Sequence, residues 1–125
     1  MIDLRSDTVT TPTEAMWQAM REATLGDDTL EGDPTVARLE TLAAKLTGKP
    51  AALFVTSGTM GNVISALTHN QRGGLEAIVD SQAHMLLSEA GGLSCLAGLF
   101  CNAITSRRGE MDLQQLKMKL RGSYS

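Results

Sequence analysis

A chain of 125 residues is long enough for one domain and too short for two. Its 42% hydrophobic and 20% charged residues are ordinary for a globular protein, and it has no apolar run of roughly eighteen residues to predict a membrane helix. A net charge of −3 gives no basis for binding nucleic acid or an anionic membrane.

The opening residues put Asp3, Arg5 and Asp7 where a secretory signal needs a basic and then an apolar stretch, so none is expected. An extended arm or a solvated tail is expected over about residues 1–12. Thr11 as cap, Pro12 at the first helical position and Glu14 as the returning side chain predict a helix start. Ala15, Met16, Ala19, Met20 and Ala23 continue it as one apolar stripe for about three turns. The acidic loop from Gly26 to Asp33 reads equally as solvated surface or as a functional loop. Asp33 and Pro34 then predict the cap and first turn of a second helix, with Val36, Leu39, Leu42, Ala43 and Leu46 on one face and Gly48 closing it.

The most informative stretch follows. Ala51 to Val55 has the length and flanks of a buried strand, and Ser57-Gly58-Thr59 leads straight into Met60, Val63, Ile64 and Leu67 at helical spacing. A strand, a glycine turn and a helix start in direct succession aim free amides and the positive helix end at one point, which suits a phosphate. Ser57 and Thr59 add hydroxyls there, and Gly58 permits close approach. A helix cap with a flexible turn residue explains the same triplet without any ligand. His69, in the last turn, reads as a structural partner of the helix dipole.

Ala77-Ile78-Val79, ending at Asp80, predicts a second buried strand, and His84 lies just past that strand's carboxyl end. In an open α/β sheet this is the ligand-binding edge, the one that also carries Ser57 to Thr59; a lone histidine is otherwise a satisfied surface or core residue. Glu89 is a candidate to orient His84, although five positions do not make one helical face. Leu93 to Phe100 is ambiguous between helix and strand, and Ile104 lies in a further extended candidate. Asp112-Leu113-Gln114-Gln115 predicts a capping box for a last helix carrying Leu113, Leu116 and Leu120. Cys95 and Cys101 form no metal or redox pattern and read as a reduced, cytoplasmic pair; two histidines are too few for a zinc site built from this chain alone.

The residues alone yield an α/β layer with a phosphate cradle and a nearby histidine, without naming a reaction. Ile2 to Thr10, Gly26-Asp27-Asp28, Asp33 to Val36, Ser57-Gly58-Thr59 and the segment from Ala83-His84 to Gly91-Gly92 occur together and in order. In these the chain resembles the N-terminal part of the pyridoxal-phosphate-dependent L-threonine aldolases, within the wider β-eliminating lyase family. The resemblance implies an aspartate-aminotransferase-like (type I) fold whose large domain has a mostly parallel, seven-stranded sheet. This chain would be an incomplete large domain over residues 1–125, with pyridoxal 5'-phosphate as cofactor. On the matching positions, Ser57, Gly58, Thr59 and the Met60 amide would hold the cofactor phosphate. His84 would lie on the cofactor ring and take part in proton transfer, and Ser6 would stand near the substrate carboxylate.

The implied reaction is retro-aldol cleavage of threonine or allo-threonine to glycine and acetaldehyde by a homo-oligomer, dimer or tetramer, acting on a small β-hydroxy amino acid. The sequence departs from the family pattern at several places. Leu30-Glu31 stands where members carry Tyr-Gly, Met60 where many carry Gln, and Ser88 where many carry an aromatic residue. None of Lys45, Lys49, Lys117 or Lys119 matches the family's cofactor-linking lysine, and Arg121 to Ser125 do not continue the pattern. A truncated chain, inactive alone, is therefore expected. A racemase or β-eliminating lyase of the same fold, or a non-catalytic fragment pairing with a full-length subunit, are the alternatives.

Overall fold

The structure, a computed structural model, describes residues 2–120; the expectation placed on Arg121 to Ser125 lies outside them. The chain divides after Phe54 into two units.

In the first unit residues 2–13 are irregular apart from a single 3-10 turn, Asp7–Val9. Helix α1 spans Glu14–Glu22 and α2 spans Pro34–Thr47. The start of α1 corrects the sequence reading. The cap is Thr13, not Thr11: its hydroxyl accepts from the Met16 amide at 3.3 Å, and the Met16 sulfur accepts from the Thr13 amide at 3.5 Å. Two threonines compete for the cap, and the later one wins because it leaves Pro12 in the extended chain that its ring favours. Glu14 then falls in the first turn, where the dipole favours an acid, and it pairs with Arg21 at 2.6 Å.

Helix α2 begins and ends as the sequence predicts. The Asp33 carboxylate accepts from the Thr35 and Val36 amides at 2.8 and 2.9 Å, and Gly48 ends the helix at a φ of 66°. The second Asp33 oxygen accepts from the Gly26 amide at 3.1 Å, which closes the acidic loop. These donors, Val36 first and Gly26 next, hold the Asp33 carboxyl below the usual carboxylate range. Any Cβ on Gly26 would fall on the Gly32 carbonyl oxygen, so the closure needs glycine. The loop's acids thus serve its own backbone: Asp28 accepts from the Asp33 amide at 3.1 Å, and the Asp27 carbonyl from Gly32 at 2.8 Å.

The expected strand over Ala51–Val55 does not form. A strand needs a neighbour to complete its ladder, and none of the described residues pairs with this run. The Phe54 amide instead donates to the Glu40 carboxylate at 2.7 Å, and Leu53 and Phe54 are 66% and 51% exposed. Apolar patterning registers a preference for burial, but it cannot supply the partner strand.

The second unit carries the sheet. Helix α3 spans Gly58–His69, and strand β1 (Glu76–Asp80) runs parallel to β2 (Phe100–Ile104), Glu76 opposite Phe100 and Asp80 opposite Ile104. The crossover between them contains two single-turn helices, α4 (His84–Leu87) and α5 (Gly92–Cys95). This resolves the ambiguous run from Leu93: one helical turn, a bend, then strand. Ala66, Leu93, Ala97 and Leu99 form the core, with Ala77, Val79, Met85 and Cys101 packed on it. Burying a leucine or isoleucine is worth about 1.5–3 kcal/mol, so Leu93, Leu99 and the 1% exposed Ile104 supply much of the cohesion. Buried Asn70 ties α3 to both strand entrances, donating to the Ala97 carbonyl at 2.6 Å and accepting from the Leu75 amide at 3.2 Å.

A hairpin the sequence reading missed follows, β3 (Ser106–Arg107) against β4 (Glu110–Met111). Its two-residue loop has Arg108 and Gly109 at φ 56° and 83°, and the Arg-Gly pair was the available signal. Helix α6 (Leu113–Lys119) is capped by Asp112, which accepts from the Gln114 amide at 2.8 Å; the Gln115 side chain meets the Asp112 carboxylate and not its backbone.

Two outcomes are expected. No residue of α1 or α2 is buried, and helices of this length are marginal without packing, so their amides should exchange faster than those of β1 and β2. Equal protection in hydrogen-exchange mass spectrometry would contradict this. A Cβ at Gly92 would meet the Val63 side chain at 2.9 Å, so Gly92→Ala should destabilise the second unit by about 1–2 kcal/mol in chemical denaturation, overpacking outweighing the gain in helix propensity.

Candidate functional site

The site is built on the start of α3 and the carboxyl end of β1. Ser57 is extended, with φ −153° and ψ 154°, and its hydroxyl accepts from the Met60 amide at 3.1 Å while its carbonyl takes the Gly61 amide at 3.1 Å. These bonds leave the Gly58 and Thr59 amides without an acceptor among the described residues, at the positive end of a 12-residue helix. A Cβ built on Gly58 meets nothing within 4 Å, so the space in front of the helix is open. Two free amides, the Thr59 hydroxyl and the remaining Ser57 hydroxyl hydrogen form a donor set that fits a phosphate monoester. Met60 drops out of that set: its amide is spent on the cap, and its sulfur accepts from Thr56 at 3.6 Å.

At the end of β1 the chain turns sharply. The Ser81 amide donates to the Ile104 carbonyl at 2.8 Å, Asp80 accepts from the Gln82 amide at 2.6 Å, and the Asp80 carbonyl takes the Ala83 amide at 2.9 Å. The other Asp80 carboxylate oxygen is buried without a partner among the described residues. Helix α4 starts directly at His84 and lasts one turn. Ala90 and Gly91, at φ 51° and 75°, then reverse the chain. Glu89 reaches His84 despite the spacing of five because the chain leaves the helical path at Ser88, whose φ is −119°, before it arrives at Glu89. The helix ends at Ser88, so helical geometry no longer governs the pair.

One carboxylate oxygen organises the site. Glu89 Oε1 lies 2.8 Å from His84 Nδ1 and accepts from Asn62 Nδ2 at 2.7 Å. Asn62 stands on α3 one turn beyond Gly58, so the imidazole is tied to the helix whose first amides are free. The Glu89 side chain is 2% exposed and that of His84 is 70% exposed. The bond from His84, then that from Asn62, holds the Glu89 carboxyl below its ordinary value of 4.5 against the opposing effect of burial.

Of the residues singled out in the sequence, Ser57, Gly58, Thr59 and His84 all belong to the second unit. Ser6 belongs to the first, where its oxygen accepts from the Thr8 amide at 3.2 Å and the Thr8 hydroxyl at 2.9 Å. Asn62 was missed; its one signal was its position one helical turn from Gly58. Among the described residues no three His, Cys, Asp or Glu side chains gather as a metal site, and no helix is long and apolar enough to cross a membrane.

A carboxyl whose folded pKa is depressed stabilises the fold above its ordinary value, and that contribution is lost as pH falls through the lower folded value. Acid titration of the second unit, followed by melting temperature, should therefore show a loss setting in below about pH 4.5. That component should be absent in Glu89→Gln; an identical acid limb in the variant would contradict it. Ser57→Ala should cost about 1 kcal/mol in denaturant titration through loss of the cap.

Low-specificity L-threonine aldolase 1 of Arabidopsis thaliana is 46% identical over 96% of this chain and 34% of its own length. The low specificity L-threonine aldolases of Escherichia coli (strain K12) and Saccharomyces cerevisiae are 45% and 38% identical, over 97% and 92% of this chain and 36% and 30% of their own lengths. The chain thus spans about a third of the length of the curated relatives it matches. The family model described as beta-eliminating lyase matches residues 3–125, and with nearly every residue inside that match the chain belongs to the beta-eliminating lyase family.

Proposed function

We propose that this chain supplies the phosphate-gripping part of a pyridoxal-phosphate-dependent threonine aldolase of aspartate-aminotransferase-like fold. Such an enzyme cleaves L-threonine or L-allo-threonine to glycine and acetaldehyde. The observation that carries the reading is the Glu89 oxygen shared by Asn62 and His84, which joins a histidine to a helix start with two free amides. The names of the relatives, with identities from 38% to 46%, support the choice of reaction.

Pyridoxal phosphate, when bound, draws electrons away from the substrate Cα. The chain's own residues would do the rest. The Gly58 and Thr59 amides, with the Ser57 and Thr59 hydroxyls, would hold the phosphate at the positive end of α3. His84 would take the substrate β-hydroxyl proton at a ring nitrogen as the Cα–Cβ bond breaks and the aldehyde carbonyl forms. Ser6 is assigned to the substrate carboxylate on the family resemblance alone. A homo-oligomer and a cytoplasmic setting belong to the same proposal.

Phosphorus NMR during a pyridoxal phosphate titration tests the cradle. Gly58→Asp adds a carboxylate where the helix start welcomes one and the coenzyme phosphate does not, so the fold should hold while binding weakens about tenfold or more. Equal binding by both proteins would refute the assignment. Borohydride treatment should trap no stoichiometric adduct at Lys45, Lys49, Lys117 or Lys119. Acetaldehyde release from L-threonine and L-allo-threonine, by the product of this gene read through its adjoining sequence, tests the reaction itself.

A further inference from the structure

We infer that Glu89, held in place by Asn62, is a positioning residue that fixes neutral His84 as the Nδ1–H tautomer and leaves Nε2 as its proton-accepting nitrogen. An ionised carboxylate carries no hydrogen to donate, so the hydrogen in the 2.8 Å contact between Glu89 Oε1 and His84 Nδ1 rides on the ring. Burial does not neutralise Glu89, because its two hydrogen-bond donors outweigh the loss of solvation.

Asn62 makes the arrangement one-way. Its Nδ2 reaches the same oxygen at 2.7 Å, and a flipped amide would set a carbonyl oxygen against a carboxylate, two acceptors with nothing between them. The Glu89 side chain is almost closed to solvent, so water does not replace either donor. The one-turn helix ends before Glu89, with Ser88 as its C-cap, so Glu89 is free of the helical path and folds back on His84. The imidazole itself is mostly exposed, and with Nδ1 facing Glu89 it is Nε2 that is left for a ligand or for solvent. The use of that nitrogen on a substrate hydroxyl rests on the function proposed above. The tautomer does not.

The test is nitrogen NMR of the 125-residue chain labelled with 15N-histidine, recorded about two units above the ordinary imidazole pKa of about 6.5. The chain has only two histidines, and His69, exposed at the end of α3, is an internal reference. His84 should show a protonated-type Nδ1 and an unprotonated-type Nε2, a pattern different from that of His69. In Glu89→Ala and in the volume-preserving Glu89→Leu the His84 pattern should collapse to that of His69, and in Asn62→Ala it should move part of the way. A wild-type His84 dominated by Nε2–H overturns the inference, as does an unchanged pattern in a Glu89 variant whose amide spectrum stays folded. An unmoved pattern in folded Asn62→Ala overturns the part assigned to Asn62. The wild-type spectrum decides without any variant, so a variant that fails to fold does not rescue the idea. A merely structural pair would shift melting temperature in the folded variants and leave the tautomer alone. Pyridoxal phosphate added to the same samples separates the two readings: Nδ1–H without binding keeps the clamp and sinks the cofactor assignment, and Nε2–H with binding does the reverse.

Discussion

A single carboxylate oxygen, Glu89 Oε1, holds the candidate site together. It receives an amide hydrogen from Asn62 and lies against His84 Nδ1, joining the start of α3 to the turn after β1 across 27 residues of sequence. The two bonds do more than add stability. Each removes a freedom that a lone pair would leave: Asn62 fixes where the carboxylate sits, and the carboxylate fixes which way the imidazole faces. Buried polar groups are costly when half satisfied, and here the nearly closed Glu89 side chain sets one oxygen against both Asn62 and His84.

Helix α3 serves the proposed anion cradle and the core at once. Its first turn exposes amides, its second offers Asn62, its Val63 side chain stands over Gly92 of α5, and Ala66 lies in the apolar core. A binding turn set on such a helix inherits its rigidity, because moving the amides means moving packed side chains. The first unit has no comparable anchor. Its helices are well capped, but their apolar faces remain exposed, so local hydrogen bonds shape them more than burial does. Asp80 stands apart: one of its oxygens is buried and unpartnered, directly before the loop that presents His84.

Features governed by neighbours in the chain were legible from the residues. Asp33, Ser57 and Asp112 cap the helices they were expected to cap, and Gly48 adopts the left-handed conformation that ends α2. A short polar side chain two or three residues before a free amide finds it with little competition. Strand β1 was also readable, since Ala77 to Val79 are apolar and bounded by turn residues. Where local signals tied, patterning misjudged: Thr11 and Thr13 offered the same chemistry, and Pro12 decided between them. The Arg108-Gly109 hairpin carried a readable turn pair that went unread, its flanking strands being only two residues each.

The sequence by itself determined the caps of α2, α3 and α6, the amphipathic stripes, the free amides at Gly58 and Thr59 and the family. All of these follow from residue identity and spacing over a few positions. Tertiary structure alone decided that Ala51 to Val55 stays unpaired, because a ladder needs a second strand that no local pattern provides. It alone decided that Glu89 meets His84 off the helical face and shares its oxygen with Asn62, since that contact depends on the early end of α4 at Ser88 and on the packing of α5 against α3.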